Sequence, residues 1–368
     1  MKKTLTIGFI GLGLIGGSIA KALRQARPDD ILIAYDKNKE GLIQAMADNT
    51  INQATDTIGS AFSDCDVVFL CTPVSTCIEY LQPLKSILSP DCILTDVGSV
   101  KSAIHQAVEQ VGLSDHFIGG HPMTGSEKSG YSHSKAHLLE NAYYILTPCD
   151  ETDSYRHELM LSLVRAMNAL PITLNYKEHD RITAAISHLP HIIAYTLVNL
   201  VRETDNPEGM MRLLAAGGFK DITRIASSSP EMWQQICFEN QDSILNVLSD
   251  YEKRMYDIGN AIRNRHEDAL LDAFTKARDY RNDIPVSHAK GAIEPSYEIF
   301  VDIIDESGAI ATIATILATN GISIRNIGIV HNREFQEGVL HIEFYEQEAS
   351  EKAAGLLDRF HYVVHTVG

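Results

Sequence analysis

No two of the six cysteines (Cys65, Cys71, Cys77, Cys92, Cys149, Cys237) stand in a C-x-x-C spacing, and several lie in apolar runs. They read as buried free thiols of a reducing compartment, so neither a disulfide framework nor a metal site is expected. Positive charge is scarce: 31 Lys+Arg against 48 Asp+Glu give a formal net charge of −17. That argues against nucleic acid as a partner, because phosphate-backbone binders carry a basic footprint. It leaves an anionic small molecule open, since a local cation cluster can dominate one pocket. The chain has no internal repeat, no low-complexity tract and no uninterrupted, strongly apolar run of bilayer length, so no membrane span is expected. Met1-Lys2-Lys3 before an apolar stretch imitates a secretory signal, but Gly8, Gly11, Gly13, Gly16 and Gly17 interrupt it. A cytoplasmic location is the expectation.

What is present supports real cores. Hydrophobic residues make up 45% and charged residues 21% of 368 residues, a length that suggests two or three domains. Over the first 150 residues, short apolar runs alternate with helical patterns. Strands are expected at Leu5–Ile10, Ile31–Tyr35, Val67–Cys71, Ile93–Thr95, His116–Ile118 and Tyr143–Leu146, with one more at Ile172–Leu174. This alternation points to an α/β, doubly wound, mostly parallel sheet of the Rossmann kind over residues 1–175. From 176 to 282 strand signals vanish and Pro190, Pro207 and Pro230 punctuate helices, which reads as an all-α domain. Residues 283–296 have linker composition. Residues 297–368 read strand–helix–strand–strand–helix–strand, the βαββαβ ferredoxin-like plan.

Three clusters carry chemistry. In Gly11-Leu12-Gly13-Leu14-Ile15-Gly16, the first glycine permits a tight turn, the second lets backbone approach a pyrophosphate, and the third lets helix and strand pack closely. Asp36 stands 20 residues beyond Gly16, placed to accept from ribose hydroxyls and to repel a 2′-phosphate. NAD is therefore favoured over NADP, with Lys37 and Lys39 as the contrary signal. Thr72 and Pro73 follow the strand over whose end the cofactor would pass. Ser99, after the next strand, is a candidate substrate or nicotinamide contact or else a helix N-cap.

The second cluster is Gly119-Gly120-His121-Pro122-Met123-Thr124-Gly125-Ser126-Glu127. It reads as a glycine-rich loop after a strand, with His121 as general base: neutral imidazole accepts a proton near physiological pH. His133 and His137 lack such surroundings and read as structural. In Ser187-His188-Leu189-Pro190-His191 the two histidines share a helix face if Pro190 sits in the first turn. Third, Gly217-Gly218-Phe219-Lys220-Asp221-Ile222-Thr223-Arg224 reads as a loop entering a helix. Arg224 there can hold a carboxylate with two parallel N–H donors. Trp233, the only tryptophan, is either helix packing or a substrate wall.

In that order these motifs resemble prephenate dehydrogenase over nearly the whole chain, and the last 72 residues resemble an ACT domain. The resemblance implies a nucleotide domain, a helical dimerisation domain and a homodimer. It implies NAD as cofactor and oxidative decarboxylation of prephenate to 4-hydroxyphenylpyruvate, with His121 and Ser99 at the reacting ring. Arg224, His191 (His188 as runner-up), Lys220 and Gly217 would then bind substrate. Tyrosine, the pathway's end product, would act as effector at the tail through Asp305, Gly308, Ala309 and Asn326. Arogenate dehydrogenase, with an amino group in place of the substrate's keto group, is the nearest alternative. A non-catalytic sensor of NAD and an amino acid is the alternative of a different class.

Overall fold

The computed structural model describes residues 4–125, 128–284, 297–303, 308–330 and 338–366. Ser126 and Glu127 of the histidine motif, most of the expected linker, and Asp305 lie outside the described residues. The chain divides into two compact units, Met1–Gly291 and Ala292–Gly368.

The first unit opens with a five-stranded parallel sheet in the order β3-β2-β1-β4-β5. Its strands are β1 (Thr6–Ile10), β2 (Ile31–Tyr35), β3 (Gln53–Thr55), β4 (Val67–Leu70) and β5 (Ile93–Asp96). The strands read as apolar runs because both faces are covered. Phe9 and Phe69 stack at 5.4 Å on one face with Ile19 and Leu163, while Ile10, Phe62, Val68 and Ile104 pack on the other. Short β3 escaped the sequence reading because three residues, two of them exposed, leave no apolar pattern.

Beyond β5 the sheet changes character. A three-stranded mixed sheet follows, with β6 (Ile118–Pro122) antiparallel to β7 (Tyr143–Pro148) and β7 parallel to β8 (Leu170–Thr173). A single parallel bridge, Leu94 to Phe117, ties it to β5. This corrects the expected strand His116–Ile118. The strand runs further, so His121 lies within β6, opposite Ile145, and not in a loop. The glycines misled because they serve close approach here. A Cβ on Gly120 would stand 2.5 Å from the Asp96 carbonyl oxygen and 3.0 Å from the Tyr144 hydroxyl.

From Tyr176 the described chain is helical to Asp283. Helix Tyr176–Thr183 passes through a π-helical turn, Ala184–His188, into helix Leu189–Thr204, with Pro190 in its first turn as the sequence required. This continuous run is long and apolar enough to cross a membrane by length and composition, with mean hydropathy 1.4 in its most apolar window. It is not an uninterrupted, strongly apolar stretch, because Ser187, His188, Pro190 and His191 break it. The run also carries His179, Asp180 and His188 in buried positions, hydrogen-bonded into the rest of the unit. Gly217–Thr223 is itself a helix followed by a 3₁₀ turn, Arg224–Ser227, where a loop was expected. Helices Pro230–Glu239, Gln241–Arg263 and Glu267–Asp283 complete the region.

The second unit is a four-stranded antiparallel sheet with two helices. Its strands are β9 (Tyr297–Ile303), β10 (Ile324–Val330), β11 (Gly338–Phe344) and β12 (Val364–Thr366), in sheet order β10-β11-β9-β12. Helices Ala309–Thr319 and Gln347–Arg359 follow β9 and β11. Alternation along β9 sends Ile299, Val301 and Ile303 into a core with Ile313, Leu317, Ile342, Phe344 and Leu357. Gly308, at φ +97°, precedes the first helix, and Asn326 donates to Glu343 on β11.

Candidate active site

At the carboxyl end of β1 the glycine motif has the backbone geometry that its spacing implied. Gly11 sits at φ +96°, and a Cβ there would strike the Cys71 carbonyl at 2.7 Å and the Thr72 methyl at 2.9 Å. A Cβ on Gly16 would stand 2.4 Å from the Gly11 carbonyl oxygen, whereas one on Gly13 would meet nothing within 4 Å. The motif thus leaves space where a pyrophosphate approaches. Helix Leu14–Ala26 begins there without a side-chain cap, and its first regular bond is Gly17 N–H to Gly13 C=O, 2.9 Å. The N–H groups at Leu14, Ile15 and Gly16 therefore have no partner within the helix, the arrangement that suits an anion at a helix N-terminus. Asp36 ends β2 half-buried and accepts from Leu12 N–H (2.5 Å) and Asn38 N–H (2.6 Å). Lys39 is drawn to Asp56 at 2.5 Å, which weakens the contrary signal for a 2′-phosphate. Pro73 starts helix Val74–Lys85, with Thr72 beside it at the same sheet edge. These residues fit NAD.

The next strand ends set the chemistry. Asp96, at the end of β5, is fully buried and accepts from Gly98 N–H (2.9 Å), Gly120 N–H (3.1 Å) and the Lys101 ammonium. One carboxylate thus fastens the turn after β5 to the residue next to His121. Ser99 lies half-buried in that turn. It does not cap the following helix, Ser102–Val111, whose N-cap position is Lys101. The cap comes from far along the chain: Asp180 accepts from Lys101 N–H (2.8 Å) and Ser102 N–H (2.7 Å).

His121 Nδ1 lies 2.8 Å from His179 Nε2, and His179 Nδ1 lies 2.8 Å from Asp180 Oδ1. Burial, then His179, Lys101 and His188, hold the His121 imidazole well below its ordinary range, so it is neutral at physiological pH. Burial also pushes His188 down to about 4. Burial alone would raise the Asp180 carboxyl, but its hydrogen bonds from His179, Ser102 and Lys101 outweigh that and keep it below its usual range.

His188 and His191 face the same indole. His191 stacks on Trp233 with centroids 3.6 Å apart, and His188 meets it edge-on at 5.9 Å. Asn240 donates to the Asp180 carbonyl (2.9 Å) and lies 3.1 Å from His188 Nδ1. The Trp233 indole N–H is buried with no partner among the described residues, and the ring packs between the two histidines. Arg224 is exposed on its 3₁₀ turn, close enough to His191 to add to the lowering that burial causes there. Gly217 begins the preceding helix and is half-buried. Lys220 is exposed on that helix, with no hydrogen bond or ion pair to the histidine cluster. His133 and His137 are exposed on 3₁₀ turns away from the cluster.

The sequence reading missed His179, Asp180 and Asn240. Helix Tyr176–Thr183 buries a polar face, His179, Asp180 and Thr183, so hydrophobic periodicity is blind to it. A signal did exist: a His-Asp dipeptide just inside a helix start marked by Asn175.

Comparison with known proteins follows the same lines. Residues 19–172 match the prephenate dehydrogenase nucleotide-binding domain, and residues 175–276 match the prephenate dehydrogenase dimerization domain. The chain is 38% identical over 355 residues to prephenate dehydrogenase of Bacillus subtilis, covering 96% of this chain and 95% of that one. It is 33% identical to cyclohexadienyl dehydrogenase of Zymomonas mobilis, over 77% of this chain and 97% of that protein. Among solved structures, prephenate dehydrogenase from A. aeolicus in complex with hydroxyphenyl propionate and NAD+ aligns with TM-score 0.72 and 33% identity. That alignment covers 76% of this chain and 98% of that one. Synechocystis arogenate dehydrogenase aligns at 0.69 and 30% identity, over 76% and 99%. Asp36, Ser99 and His121 thus fall in the first matched domain and the His188, Arg224 and Trp233 cluster in the second, and the chain belongs to the prephenate dehydrogenase family of NAD-dependent oxidoreductases.

Proposed function

We propose that this chain oxidatively decarboxylates prephenate to 4-hydroxyphenylpyruvate, with His121 as the base. The observation that carries the role is His121 itself: it sits on β6, next to the residue fastened to Asp96 at the end of β5, with Nδ1 tied to His179, leaving Nε2 for a substrate hydroxyl. Bound NAD supplies the hydride acceptor. As hydride leaves ring C4, His121 takes the proton of the C4 hydroxyl. The C–C bond to the ring carboxylate breaks, carbon dioxide leaves, its electron pair aromatises the ring as a phenolate, and that oxygen regains the proton held by His121. Aromatisation drives the step, so the protein's task is to position the ring and hold the base neutral.

Arg224 binds a substrate carboxylate, Trp233 and His191 form the wall beside it, and His188 stands behind them. Ser99 contacts the reacting hydroxyl or the nicotinamide. Lys220 and Gly217 stay within this reading as outer elements of the Arg224 segment. Gly11, Gly13, Leu14, Ile15, Gly16, Asp36, Thr72 and Pro73 hold NAD. The helical region forms a homodimer, and the enzyme works in the cytoplasm. Reduction of NAD, followed with prephenate and with arogenate in parallel, tests the assignment. Prephenate turnover with little arogenate turnover supports it, and the reverse makes the chain an arogenate dehydrogenase.

The second unit is read as an ACT-type module that senses tyrosine. Its support is the strand–helix order and Gly308 at the head of the first helix, where backbone can approach an amino acid. Asn326 is less available than its sequence suggested, since its amide already reaches Glu343 at 3.2 Å. Regulation requires tyrosine to bind two states of the enzyme with different affinity. A chain ending at Asn282 is expected to keep turnover and lose tyrosine inhibition that is non-competitive with prephenate. Equal inhibition of both forms would place tyrosine in the active site.

A further inference from the structure

The hydrogen bonds around His121 fix more than its position. An ionised carboxylate only accepts, so the ring nitrogen facing Asp180 must carry its proton: His179 is Nδ1–H. With Nδ1 carrying the ring's single proton, Nε2 is then a bare acceptor. It faces His121 Nδ1 at 2.8 Å, so His121 must donate from Nδ1 and keep its lone pair on Nε2. The opposite arrangement would set a lone pair of His179 against the carboxylate and put the His121 proton on Nε2, where no base would remain.

The same carboxylate caps a helix. Its oxygens take the N–H groups of Lys101 and Ser102 at the start of helix Ser102–Val111, which has no cap of its own. Asp180 belongs to the helical region and this helix to the nucleotide-binding region. Asn240 holds the Asp180 carbonyl from behind. Both Asp180 and His179 are fully buried, so water does not compete for these bonds.

We propose that Asp180 is a positioning residue that sets the tautomer of His121 through His179, and that its seat on the Ser102–Val111 helix start joins the base to the assembly of the two regions. The inference rests on the reading of His121 as the base. The charged and titratable groups facing this pair are Lys101 and Asp96 from the nucleotide side and His188 from the helical side.

The test uses the full chain with ¹⁵N-histidine labelling, steady-state kinetics and three sets of variants. Asp180→Asn is expected to lower kcat by roughly 10²–10⁴-fold, the scale of losing a correctly protonated base, with little change in prephenate KM. The His121 ¹⁵N resonances, assigned through His121→Asn, should report Nδ1–H in the native enzyme and a shift toward Nε2–H in Asp180→Asn. If His121→Asn keeps near-native turnover, the base reading itself fails. If His121→Asn is inactive while Asp180→Asn keeps native kcat or the native Nδ1–H signature, the base stands and the tautomer proposal is overturned. His179 supplies a check should Asp180→Asn not fold. Glutamine there can accept from His121 Nδ1 through Oε1 and leucine cannot. His179→Gln is expected to keep about tenfold or more of the kcat of His179→Leu, and equal kcat in the two variants overturns the proposal.

Discussion

Phe9, Phe62, Phe69 and Phe117 of the nucleotide-binding region are wholly enclosed, whereas Phe238, Leu271, Phe274 and Tyr280 of the helical region stand 64–73% exposed. The first region closes its core by itself, because helices cover both faces of a parallel sheet. The second does not. Helix Glu267–Asp283 has no buried residue, and helix Gln241–Arg263 buries only Ile244 and Ala261 of its 23 residues. Apolar surface on that scale marks an interaction site, which accords with the dimerization domain family it matches. The polar face of the same region meanwhile points inward, supplying His179, Asp180 and His188 to the site. On the proposed reading, one region holds the cofactor and the base, while the other orients the base and offers a surface to a partner.

The sharpest way to break this division is at the base. His121→Asn is expected to reduce kcat by ~10²–10⁴-fold with a much smaller change in KM. In the native enzyme the depressed imidazole keeps its base form into mild acid. With the pKa lowered, the proton that blocks catalysis binds only below the ordinary histidine range, so kcat should be flat near neutrality and fall only as pH drops well below ~6.5. A kcat that still climbs steeply between neutral and alkaline pH would remove His121 from this role.

On the helical side, Arg224→Ala is expected to raise the prephenate KM about 10–100-fold, because a charge-assisted carboxylate contact contributes ~1.5–3 kcal/mol. Unchanged KM would move the anchor elsewhere. A weaker effect tests the exposed face: Leu271→Glu, 68% exposed in the single chain, should raise the dimer dissociation constant about tenfold or more in sedimentation. NAD affinity should stay the same, since the nucleotide-binding core is closed without a partner. An undisturbed dimer would place the interface on another helix face. Asp36→Ala should give the smallest change, a preference for NAD over NADP reduced by roughly 2–10-fold, the worth of one or two hydrogen bonds. A native enzyme that prefers NADP would contradict the role of Asp36 altogether.

The nucleotide motif was legible because its physics is local. Three glycines, a strand before them and a helix after them fix a turn whose open side is visible in the spacing alone, and Asp36 follows from where the next strand must end. His121 was legible as a residue but not as a setting: the glycines that suggested a loop are strand residues pressed against Asp96 and Tyr144. Likewise Gly217–Thr223 closed into a helix, leaving Arg224 on a 3₁₀ turn and Lys220 facing solvent.

By itself the sequence determined the order of the regions and the glycine turn, and it singled out one histidine and one arginine as candidates, because those readings depend on residues near one another in the chain. Only the tertiary structure shows which nitrogen of His121 is engaged, and so which one the proposed base would use. That choice passes through His179 and Asp180, roughly sixty residues further along, to the N–H groups of Lys101 and Ser102. Hydrogen-bond direction in a buried chain is set by what stands at its far end, and no local pattern records a partner that packing alone brings near.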